Sequence, residues 1–65
     1  MIELTQLSGK TFWINPHMIE YIEKTPDTTL VMLGGKRMVV LEKVDVVIER
    51  IVAYRRLIGG FKNEE

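Results

Sequence analysis

The sequence predicts a mainly β domain of α+β type, a five-stranded, strongly bent antiparallel sheet followed by one C-terminal α-helix. The strands are announced by a repeat. Leu7-Ser8-Gly9-Lys10-Thr11-Phe12-Trp13-Ile14 and Leu33-Gly34-Gly35-Lys36-Arg37-Met38-Val39-Val40 share one pattern: an apolar residue, then x-Gly-Lys, one variable residue and an apolar run. Ser8-Gly9 and Gly34-Gly35 read as two-residue hairpin loops, because glycine reaches positive φ without steric penalty and the flanking runs are rich in β-branched and aromatic residues. The helix is announced by its period. At ~100° per residue, Val44, Val47, Ile48, Ile51, Tyr54 and Ile58 fall on one face, and Gly59-Gly60 stops the run.

In order, strand one is expected over residues 2–7 and strand two over 11–15, where Pro16 interrupts. Strand three covers about 18–24. Thr25-Pro26-Asp27-Thr28 makes the next turn, with proline pre-set for its first central position. Strand four covers 29–33, strand five 37–42 and the helix 44–58. Residues 1–58 then form a single domain, and 59–65 a flexible tail beyond the glycine stop.

Leu30-Val31-Met32-Leu33 and Met38-Val39-Val40-Leu41 are apolar at every position, so both faces of that part of the sheet want cover. One helix covers one face only. The other calls for a curl of the sheet or a second subunit, and a homo-oligomer is the expected solution. Trp13 points the same way: with Phe12 and Ile14 toward the helix it faces the opposite side, at an interface or folded into the curl of its own sheet.

A chain of 65 residues buries only ~60% of the surface its unfolded form exposes, so its core is marginal. It contains no Cys, and His17 is its one His, so neither disulfides nor a Cys/His metal site can reinforce it. The N-terminus lacks a basic and apolar leader pattern, and no apolar run approaches the ~20 residues of a membrane span. A cytoplasmic location is expected. Nine basic and nine acidic residues balance to zero net charge, which gives no nucleic-acid footprint. The bases Arg50, Arg55, Arg56 and Lys62 follow Asp45 and Glu49, the order that complements a helix dipole.

The helix carries a second, narrower stripe in which Val46, Ala53 and Leu57 lie beside Arg50, away from the main apolar face. Val46, Arg50, Ala53, Arg56 and Leu57 are therefore the candidate partner surface, expected to be dispensable for the core. Scattered surface apolar residues would give the same pattern.

Catalytic motifs fail one by one. Gly9-Lys10-Thr11 matches the end of a phosphate-binding loop, but Leu4 stands where that loop needs its first Gly. Gly34-Gly35-Lys36-Arg37 has Leu30 at the corresponding place and Arg37 in place of the magnesium-binding hydroxyl. Glu20 and Glu23 would point to opposite faces of a strand. With no nucleophile, base and orienting group converging, no enzyme activity, catalytic residue, cofactor or metal is expected.

The segment Ile14-Asn15-Pro16-His17-Met18-Ile19-Glu20-Tyr21-Ile22-Glu23-Lys24-Thr25-Pro26-Asp27-Thr28 is framed by Leu7-Ser8-Gly9-Lys10 and Gly35-Lys36, with Val47-Ile48-Glu49 and Ile51 on the helix. Over roughly residues 1–58 this pattern resembles the FlbD/SwrD family of small bacterial flagellar proteins. Ser8 departs from the usual Asn of the first turn. Lys43 stands where a Ser helix cap is common, and its side chain cannot accept from the first amides. The resemblance implies a cytoplasmic, non-enzymatic accessory of flagellar motility, associated with swarming and with the power delivered by the motor's stator units. Its partner would be a flagellar motor or stator-related protein.

Two other classes fit the same outline. The strand order and short length are similar to CsrA-like and Sm-like RNA-binding regulators, although Lys10, Lys36 and Arg37 are offset by Glu3, Glu20, Glu23 and Glu42. A peripheral membrane-surface protein would use Arg50, Arg55, Arg56 and Lys62 beside Leu57 and Phe61, but Asp45 and Glu49 oppose an anionic surface.

Overall fold

Both Gly-Lys repeats form hairpins in the computed structural model, which describes residues 1–24 and 26–58. Their loops hold three residues rather than two. Gln6 N–H donates to Lys10 O at 2.8 Å and Gly9 N–H to Gln6 O at 2.9 Å, and Met32, Gly35 and Lys36 repeat these bonds at 2.8 Å each. Each loop is a tight turn that ends in a glycine bulge, with φ of 95° at Gly9 and 94° at Gly35. The left-handed position is the third loop residue, so Leu7 and Leu33 belong to the loops and Gly34 needs no positive φ.

Strand β1 (Ile2–Thr5) pairs antiparallel with β2 (Thr11–Ile14), and a 3-10 turn at Pro16–Met18 leads into β3 (Ile19–Glu23). That turn opens on Asn15, whose side chain accepts from His17 N–H at 3.0 Å. β3 pairs with β4 (Thr28–Met32), β4 with β5 (Arg37–Val40), and α1 spans Val44–Leu57. The expected five-stranded sheet is therefore two sheets, one of β1-β2 and one of β3-β4-β5. They touch at a single bridge between Gln6 and Val40, beside a 2.9 Å bond from Leu41 N–H to Thr5 O. The ladder stops there because side chains take over the remaining outward groups of β1. Thr5 N–H donates to the Glu42 carboxylate and Glu3 O accepts from Arg50, so no strand is left to pair with them. Of the turn expected over residues 25–28, Thr28 already begins β4 and Thr25 lies outside the described residues, as does the expected tail over 59–65.

Ile2, Leu4, Ile14, Leu30, Val40 and Val47 form the buried core, where α1 packs on β1. On α1, Val47 is fully buried and Val44, Ile51 and Tyr54 are half-buried. Ile48 and Ile58, assigned to the same face by period, remain 48% and 49% exposed because a two-stranded sheet is too narrow to cover the full width of the helix. Lys43 sits at the N-cap without a side-chain bond, while Asp45 in the first turn and Arg55 and Arg56 in the last complement the dipole.

On the outer face of β4 the central residues are covered by neighbouring side chains of the same chain, while Tyr21 stays 47% exposed. Register puts Tyr21 and Glu23 of β3, Thr29 and Val31 of β4, and Arg37 and Val39 of β5 on that face. The Arg37 guanidinium reaches across β4 to the Glu23 carboxylate, and Thr29 and Val31 are left only 6% and 5% exposed. β3 also breaks strict alternation: a bulge at Glu20 lets Ile19 and Ile22, three positions apart, both pack on the core. The expectation that Glu20 and Glu23 face opposite ways rested on alternation, which fails through a bulge.

Candidate functional site

Glu42, immediately before the helix cap, turns its carboxylate back onto β1. Oε1 accepts from Thr5 N–H at 3.0 Å, and Oε2 accepts from the Thr5 hydroxyl at 2.8 Å and from Arg50 Nη1 at 3.1 Å. The same Arg50 nitrogen donates to Glu3 O at 2.7 Å. Burial alone would raise the Glu42 carboxyl. The Thr5 amide and hydroxyl, its own amide and the Arg50 guanidinium outweigh that and hold it below the ordinary value of 4.5. This clasp fixes α1 against β1.

The clasp forms one wall of a groove of about 430 Å³, lined by Met1, Ile2, Glu3, Trp13, Arg50, Ala53, Tyr54 and Leu57. Its rim is apolar and wet: Met1 is 56%, Trp13 62% and Leu57 84% exposed. Trp13 stands opposite Glu3 in the hairpin register, on the face away from the buried Ile14. Just beyond β2, His17 meets Tyr54 edge to face, with ring centroids 5.8 Å apart.

Of the candidate partner residues, Arg50, Ala53 and Leu57 line this groove, whereas Val46 and Arg56 do not. Val46 is half-buried and Arg56 exposed. Arg50 is not the dispensable surface residue that helix periodicity suggests, since it joins the helix to Glu3 and Glu42. Periodicity along α1 carries no sign of the strand it packs on. Met1 and Trp13 enter the groove from the hairpin, and the one sequence signal for Trp13 was its parity against Phe12 and Ile14. Among the described residues no group of three or more His, Cys, Asp or Glu is arranged to hold a metal ion, and no helix is long and apolar enough to cross a membrane.

Fold and groove define a small two-sheet β domain braced by one helix, with an exposed, largely apolar trough between hairpin and helix. The model of the FlbD family, flagellar and swarming motility proteins, matches residues 1–59, and the chain belongs to that family. No curated protein and no solved structure matches it.

Proposed function

We propose that this protein is a cytoplasmic, non-enzymatic accessory of the flagellar motor that supports swarming, and the power drawn from the stator units, by binding a motor or stator-related protein. The observation that carries the reading is the groove, in a chain of a motility family. Trp and Arg beside small apolar residues are the composition favoured at the centre of protein interfaces. The charged side chains bordering the groove are Glu3 and Arg50, and Arg50 is bonded into the clasp, so the apolar surface between them fits an aliphatic segment of the partner. Three ionisable groups have partners within the fold: Glu23 with Arg37, Glu42 with Thr5 and Arg50, and His17 with the Tyr54 ring.

The test is complementation of a motility-deficient deletion strain with Leu57→Glu. Leu57 is 84% exposed, so the variant keeps its stability to within ~0.5 kcal/mol, as at ordinary surface positions. Swarming and stall torque should fall while the helical circular dichroism stays. Normal swarming by Leu57→Glu together with Ala53→Glu would remove the groove from the account.

A further inference from the structure

The two outermost strands treat their free edges differently. β3 carries a bulge at Glu20 together with the charges of Glu20 and Glu23, devices that oppose strand addition. β2, Thr11-Phe12-Trp13-Ile14, has no charge, proline or bulge. Its bonding direction follows from the loop. Gln6 and Lys10 bond across the hairpin, so antiparallel alternation makes Leu4–Phe12 and Ile2–Ile14 the bonded pairs and turns the groups of Thr5, Thr11, Glu3 and Trp13 outward. β1 fixes the phase independently. Thr5 N–H reaches Glu42, Thr5 O accepts from Leu41, and Glu3 O accepts from Arg50, all on the side away from β2. On β2 the matching N–H and C=O groups of Thr11 and Trp13 meet no partner among the described residues.

We propose that this edge is a homodimer interface, in which β2 pairs antiparallel with β2 of a second copy about a two-fold axis through Phe12. Thr11 then faces Trp13 of the second copy as a bonded pair, and Trp13 faces its Thr11, so every outward group on both strands is used. Lys10 falls opposite Ile14, and no like charges meet anywhere along the pairing. That self-complementarity selects a second copy over a strand from another protein. The indole of Trp13 gains a neighbour along the new ladder, and a chain too small for a large core gains a wider sheet. The pairing uses the backbone edge of β2, whereas Trp13 also lines the groove, so protection of the Thr11 and Trp13 amides, rather than substitution of Trp13, separates this inference from the motility reading.

The wild-type chain at micromolar concentration is examined by sedimentation equilibrium and amide exchange. The expected result is a reversible monomer–dimer equilibrium in which the Thr11 and Trp13 amides exchange more slowly as concentration rises, while the Glu20 amide does not respond. Trp13 is the single tryptophan, so its emission moves to shorter wavelength over the same range. Trp13→Lys puts a charge on the edge, and Thr11→Pro removes an outward N–H without touching the bonds to β1; each should weaken association by about tenfold or more, equivalent to the ~1.4 kcal/mol that a tenfold change represents. A monomer at all concentrations overturns the proposal. So does a dimer whose Thr11 and Trp13 amides stay unprotected, or protection that appears only when another motility protein is added. Should a variant fail to fold, amide exchange in the wild-type chain decides alone.

Discussion

Strand β4 is held by backbone on both sides, by β3 along one edge and β5 along the other, whereas β1 is held by backbone on one side and by the side chains of Glu42 and Arg50 on most of the other. Both strands enter the same three-residue loop with the same glycine bulge. The local pattern therefore decides the turn, and residues far along the chain decide what each hairpin's outer edge meets. The hydrogen bonds of a ladder are made by backbone and do not depend on any one side chain. A clasp depends on one carboxylate and one guanidinium.

The equivalence of the hairpins is tested most severely in the core. Leu4 of β1 and Leu30 of β4 are both fully buried, and truncating either to Ala should cost ~2–5 kcal/mol, enough to unfold much of a domain this small. Chemical denaturation of Leu4→Ala and Leu30→Ala measures it, and a near-neutral Leu4→Ala would mean that the first hairpin is only loosely attached. The clasp comes next. Glu42→Gln replaces a charge-assisted acceptor and should cost ~1.5–3 kcal/mol, with no counterpart in the second hairpin. Because the Glu42 carboxyl is held below 4.5, its contribution is complete above that pH and is lost as pH falls through the lowered value. Melting temperature against pH should therefore drop below pH 4.5 in the wild type and more shallowly in Glu42→Gln.

The loops themselves should be interchangeable. At φ of 95° and 94°, with nothing within 4 Å of an added Cβ, Gly9→Ala and Gly35→Ala suffer from backbone conformation alone. The penalty is ~1–2 kcal/mol in each case. Unequal losses would show that one loop bears strain the other does not. The smallest effect is a gain. Lys43 makes no cap bond, and Lys43→Ser should raise stability by ~0.5–1 kcal/mol, seen as a higher melting temperature with unchanged clasp geometry.

What could be read in advance was what neighbours dictate. Glycine before lysine marked both hairpins, the 3.6-residue period marked α1 from Val44, and Lys43 was legible as a weak cap. The loop length was misjudged by one residue because Ser8-Gly9 and Gly34-Gly35 suit a two-residue turn as well as the end of a three-residue one. The bulge at Glu20 left no trace in composition. The division into two sheets was hidden for a different reason: it depends on Thr5 meeting a carboxylate 37 positions away, and nothing around Glu42 distinguishes it from a solvated acid. The groove was half legible, as the stripe of Arg50, Ala53 and Leu57, while its other wall comes from Met1 and Trp13 on a remote element.

The clasp also orders events during synthesis. The β1–β2 hairpin is made first, yet the groups that fasten it to the rest of the domain arrive only with Glu42 and Arg50, 37 and 47 positions after their partners on β1. Closing loops of that length precedes any reward from the contacts they allow. Until residue 50 is available, the outer edges of β1 and β2 both lack the side-chain partners Arg50 supplies, and the two edges become unlike each other only when the helix locks down on β1.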